Sequence, residues 1–97
     1  MNVTYRIDKD ILYIAIEGRI DASNAAQAEE KIFAIKNDNP GKHTVIDADN
    51  LEYISSAGLR VILRLRKEEP KLAIINVAAD VYEVFDMTGF TDMLFQP

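Results

Sequence analysis

Val45-Ile46-Asp47-Ala48-Asp49-Asn50-Leu51-Glu52-Tyr53-Ile54-Ser55-Ser56-Ala57-Gly58-Leu59-Arg60-Val61-Ile62-Leu63-Arg64-Leu65 is the stretch whose reading decides the fold. A strand-like apolar run gives way to two hydroxyls and a glycine, after which apolar and basic residues recur at helical spacing. Two serines therefore stand at a helix N-terminus. Side-chain oxygens at that place cap orphan backbone N–H groups, and a phosphoryl group there meets both those donors and the positive end of the helix dipole. From Ser56 the pattern predicts a helix to about Glu69, with Leu59, Ile62, Leu63 and Leu65 in its apolar sector. Arg60, Arg64 and Lys67 fall on the opposite side, and Pro70 stops the helix.

Upstream, Val3, Tyr5 and Ile7 alternate before the polar turn Asp8-Lys9-Asp10, and the apolar run Ile11 to Ile16 follows. This predicts a hairpin whose second strand ends at Gly18. A first helix is expected from Ser23 or Asn24, where Asn24 and Gln27 approximate a capping box ahead of Ala25, Ala28, Ile32 and Ile35. Asn37 to Lys42 breaks it, His43 to Ala48 forms a short strand, and Asp49 to Ile54 is read as a loop into the serines. Downstream, Lys71 to Val77 is nearly continuous apolar sequence, as in a strand buried on both faces. Asp80 and Glu83 form an aspartate capping box for a third helix, Gly89 suits its C-terminal cap, and Met93-Leu94-Phe95 is a last short strand or packed tail. The predicted order is β-β-α-β-α-β-α with a final β, an α/β fold with right-handed parallel crossovers after an antiparallel hairpin.

The chain has 97 residues, 48% of them hydrophobic, which suits one core spanning 1–97. Its formal net charge of −5 argues against direct nucleic-acid binding, which needs a basic patch. A basic or neutral protein partner fits better. Cysteine is absent, so disulfides and thiolate metal sites are excluded. No segment has the length of a membrane span or the pattern of a signal peptide, so the expectation is a cytoplasmic protein away from the membrane.

No catalytic constellation is visible. His43 is the single histidine, with no second imidazole or thiol to join it at a metal. Asp47, Asp49 and Asn50 lack the spacing and glycine of a calcium loop and read as capping and solvating a strand end. A nucleophile elbow needs glycine two residues before and two after its serine; Tyr53 or Ile54 stands in the earlier place. No base is at hand for either hydroxyl, and no glycine-rich phosphate loop surrounds the isolated Gly58. The expectation is a non-enzyme without cofactor or metal.

With Val45-Ile46-Asp47, Leu51 and Tyr53-Ile54-Ser55-Ser56-Ala57-Gly58-Leu59, the chain resembles the STAS domain family, the anti-sigma factor antagonists. Gly18-Arg19-Ile20-Asp21 before the first helix and Val84-Phe85-Asp86-Met87-Thr88-Gly89-Phe90 near the end extend the resemblance over essentially the whole chain. It implies a small domain with a mixed sheet of four to five strands and helices packed mainly on one face. It also implies a phosphoprotein of transcription regulation that works by partner switching. The phosphorylation site matches Ser56, Ser55 stands where many relatives carry aspartate, and Asp21 and Asp47 match acidic positions near the acceptor. The implied partner-binding residues are Asp21, Ser55, Ser56, Gly58, Leu59 and Arg60. The implied partners are an anti-sigma factor serine kinase, which the unmodified protein binds so that a sigma factor is released, and a serine phosphatase that resets the switch. A scaffold or small-ligand-binding domain of the same family, not switched by phosphate, is the alternative; a serine-based enzyme is a third reading.

Overall fold

The computed structural model describes residues 1–95; Gln96 and Pro97, the end of the span read above as one domain, lie outside the described residues. The element order is β1 (Asn2–Asp8), β2 (Ile11–Ile20), α1 (Ala25–Asp38), β3 (His43–Asp47), β4 (Leu51–Ile54), α2 (Ser56–Glu68), β5 (Ala73–Ile75), α3 (Ala79–Thr88), a 3-10 turn (Thr91–Met93) and β6 (Leu94–Phe95). Strands β1 and β2 form the expected antiparallel hairpin, with Asp8 opposite Ile11 and Lys9 at φ 56° in the turn. The main sheet then runs β1-β2-β3-β5-β6, with every pairing beyond the hairpin parallel. It is a mixed sheet of five strands, and β4 pairs with β2 off this path.

One face of the sheet carries the core. Ile14 of β2 lies in register with Ile46 of β3, which in turn faces Ile74 of β5, and all three are buried together with Leu12 and Ile16 from the same face of β2. Ala28 and Ile32 of α1, Leu59, Ile62 and Leu65 of α2, and Val81 and Phe85 of α3 join the same cluster. Each large apolar side chain fully removed from water contributes about 1.5–3 kcal/mol as an upper estimate. The other face bears Thr4, Arg6, Tyr13 and Ala15, with Arg6 stacked 3.9 Å over the Tyr13 ring.

Several local expectations change. Gly18 does not end β2: with φ +89° it forms an irregularity at which the register shifts, and the strand continues to Ile20 beside β4. Leu51 to Ile54, read as loop, is that partner strand. Asn24 occupies the N-cap of α1 but makes no side-chain cap; its amide reaches back, accepting from the Asp21 N–H at 3.0 Å and donating to the Arg19 carbonyl at 2.9 Å. At α3 the cap position is Ala78, so Asp80 lies inside the first turn and acts on the helix dipole without capping. Strand β5 is shorter than Lys71–Val77, because Asn76 adopts φ 60° and donates its amide to Asp47 at 3.1 Å. Gly89 is the left-handed C-cap of α3, as its position suggested.

Candidate functional site

The site is assembled where β2 and β4 end and α2 begins. Beyond the Gly18 irregularity, Arg19 faces Tyr53 and Ile20 faces Ile54. The Ser55 N–H then donates to the Ile20 carbonyl at 2.9 Å, which places the serines beside the residue that precedes Asp21. Ser55 is the N-cap of α2, in extended conformation, and its hydroxyl accepts from the Gly58 N–H at 3.2 Å. Ser56 is the first residue of the helix and is exposed. The two adjacent hydroxyls therefore differ physically: that of Ser55 is occupied by the helix terminus, whereas that of Ser56 accepts and donates no hydrogen bond among the described residues.

Asp21 closes the turn into α1. Its carbonyl accepts from the Asn24 and Ala25 N–H groups, and its carboxylate accepts from the Ser23 N–H at 2.9 Å and from the Ser23 hydroxyl. The Ser23 hydroxyl is the main cause holding the Asp21 carboxyl below its ordinary 3.8, with the Ser23 N–H and the positive charge of Arg19 acting in the same sense. Asp21 is thus a fixed anion at the rim of the site.

Of the other residues singled out from sequence, Arg60 is exposed on α2. Gly58 and Leu59, also read as partner-binding residues, are buried, Leu59 at 4% exposure, and seat the helix. A Cβ at position 58 would stand 2.7 Å from Ile54 Cγ1 and 2.8 Å from Ile20 Cγ2, which is why the helix start packs this closely only with glycine. Arg64, read with Arg60 and Lys67 on the side of α2 opposite its apolar sector, is bound to Glu29 of α1, and the neighbouring Arg66 to Asp92. Asp47, at the end of β3, is held by Asn76 and by the Asp49 N–H. His43 stands at the far end of β3, with Nδ1 3.7 Å from Glu69.

A feature missed in the sequence is the stack of Arg19 on Tyr53, with the guanidinium carbon 4.3 Å from the ring centroid. It follows from the shifted register on the far side of Gly18, which sets Arg19 opposite Tyr53. At the start of β4 an open cleft of about 610 Å³ has the carboxylates Glu17, Asp49, Glu52 and Asp80 in its lining, together with Gly18, Asn50, Leu51 and Ala78. Among the described residues no group of three or more histidine or carboxylate side chains is arranged to hold a metal, and no helix is long and apolar enough to cross a membrane.

Residues 2–97 match the family model of the STAS domain. BtrV of Bordetella bronchiseptica, whose name marks it as a candidate anti-sigma factor antagonist, is 36% identical over 84 residues, covering 82% of this chain and 72% of BtrV. The solved structure of the anti-sigma factor antagonist SpoIIAA in its unphosphorylated form superposes with a TM-score of 0.77 at 18% identity, over 99% of this chain and 88% of that one. The phosphorylated form of SpoIIAA, from Bacillus, does so with a TM-score of 0.68 at 17% identity, over 99% and 91%.

Proposed function

The chain belongs to the STAS domain family, and from that premise we propose that it is an anti-sigma factor antagonist switched by phosphorylation of Ser56. In the unmodified state it binds an anti-sigma factor that is also a serine kinase, so that a sigma factor is set free; a serine phosphatase returns the modified protein to that state. The observation that carries the choice of residue is the division of labour at the helix start: Ser55 caps Gly58, leaving the exposed Ser56 hydroxyl as the one open to a kinase. The kinase supplies the catalytic apparatus, because among the described residues neither serine hydroxyl is hydrogen-bonded to a base.

The consequence of modification follows from charge. A phosphoryl group adds roughly 1.5 to 2 negative charges on a chain of formal net charge −5, at a helix start joined through the Ile20 carbonyl to the strand end that precedes Asp21. A partner matched to the unmodified surface then meets strong added repulsion, while the free N–H groups and dipole of α2 favour the anion within this chain. Affinity falls and the fold persists. Asp21, Ser56 and Arg60 provide the exposed or rim contacts, and Gly58 and Leu59 set the position of the helix that bears them.

Incubation with the candidate cognate kinase and ATP, followed by site-resolved mass spectrometry, tests the reading. Label on Ser56, lost in Ser56→Ala, is expected; label on Ser55, or none, overturns it. A folded Ser56→Asp variant that binds the kinase as tightly as the unmodified protein overturns it as well.

A further inference from the structure

We infer that the Arg19–Tyr53 stack is a second anchor of the partner surface, which receives a carboxylate of the anti-sigma factor; this rests on the functional reading above. The stack is built by the backbone. Without the register shift at Gly18, Arg19 would face Glu52; with it, Arg19 faces Tyr53, and the following pair, Ile20 and Ile54, turns into the core at 0% and 1% exposure. Two buried isoleucines thus fix the backbone under two outward side chains. Tyr53 remains 39% exposed, one of few large apolar side chains left in solvent, and the guanidinium lies over its ring.

Such a pair suits recognition. Tyrosine and arginine dominate the residues that carry binding energy at interfaces, and an arginine already held on a ring loses less freedom when it is captured. Among the described residues no carboxylate lies within ion-pair distance of Arg19, although its charge is felt by Asp21. Its N–H groups are left for a planar acceptor, and a carboxylate matches them in geometry and sign. The position is continuous with the switch: Tyr53 is two residues before the Ser55 cap, and Arg19 is two before Asp21. With Glu17 and Asp21 two residues to either side, the cation at Arg19 also sets the register of an otherwise basic partner.

The test measures binding of the unmodified protein and its variants to the candidate cognate kinase, with thermal melting as the check on folding. Arg19→Gln and Tyr53→Ala are each expected to lose about tenfold or more in affinity, and Tyr53→Phe, which keeps the ring, to stay within about twofold of the unmodified protein. The double variant Arg19→Gln/Tyr53→Ala loses less than the two single losses combined, because the pair acts as a unit. Arg19→Glu, which sets a like charge against the partner's carboxylate, binds more weakly than Arg19→Gln. If Ser56→Asp loses binding while Arg19→Gln and Tyr53→Ala stay within about twofold of the unmodified protein, this inference falls and the switch stands. Tighter binding by Arg19→Glu than by Arg19→Gln overturns the carboxylate. Absence of any binding by the folded, unmodified protein overturns the functional reading and this inference with it.

Discussion

Ile20 Cγ2 lies 2.8 Å from the point where a Cβ on Gly58 would stand, so the last residue of β2 and the first turn of α2 are packed to backbone contact. Both flanking isoleucines are fully buried and have no free space to enter. Gly58→Ala gains up to about 1 kcal/mol of helix propensity, but with contacts of 2.7 and 2.8 Å to two buried isoleucines the overpacking cost lies toward the upper end of about 1–3 kcal/mol. Net destabilisation of about 1–2 kcal/mol is expected in chemical denaturation, with slower labelling of Ser56 because the helix start is displaced. Equal or greater stability in Gly58→Ala contradicts the packing described.

The two serines should separate in stability measurements. Ser55→Ala removes the acceptor for the Gly58 N–H and is expected to cost about 1 kcal/mol, whereas Ser55→Asp keeps a capping oxygen and stays close to wild type. Ser56→Ala should shift stability by less than about 0.5 kcal/mol. Equal losses in the two alanine variants would remove the distinction between cap and acceptor.

Asp21 gives a pH prediction. Its carboxyl is held below 3.8 in the fold, chiefly by the Ser23 hydroxyl, so the ionised form favours folding. That contribution is complete above the unfolded value of 3.8 and is lost as pH falls through the lower folded value. Ser23→Ala should raise the Asp21 titration midpoint toward 3.8, read by NMR of the carboxyl carbon, and should narrow the acid range in which stability still depends on this group. An unmoved midpoint assigns the shift to another neighbour.

Ile74 is 2% exposed and sits between Ile46 on β3 and Leu94 on β6 in the sheet register. Ile74→Asp buries an unpaired carboxylate at a cost of several kcal/mol against a total stability of about 5–15 kcal/mol. Loss of the cooperative melting transition is expected. An unshifted transition would contradict the placement of β5 inside the sheet.

Arg60 and Arg64 share a face of α2 but not a role. Arg64 is tied to Glu29, whereas Arg60 is exposed and joins no ion pair among the described residues. Arg60→Glu is expected to change stability by less than about 0.5 kcal/mol and to weaken binding of the candidate kinase about tenfold. Unaltered affinity in that variant would return Arg60 to the solvent.

The sequence by itself determined the elements whose signals are local. The period of Leu59, Ile62 and Leu65, the breaker at Pro70, the alternation of the hairpin and the left-handed cap at Gly89 each act within a few residues. They sufficed for the α/β order, for the serines at a helix start and for the resemblance to the STAS family. Tertiary structure decided what depends on distant partners. Leu51-Glu52-Tyr53-Ile54 has no clean alternation and becomes a strand only because β2, turned at Gly18, supplies its hydrogen bonds. Asn24 has the chemistry of a cap, yet its amide is taken by the Asp21 and Arg19 backbone, whose polar groups need partners at the strand end. Gly58 and Leu59 stand in the motif beside Ser56, but which motif residues face outward is set by the helix pressing on Ile20 and Ile54, residues of two different strands. The stack of Arg19 on Tyr53 joins positions 34 apart in the chain through a one-residue change in register, and no local pattern carries that information.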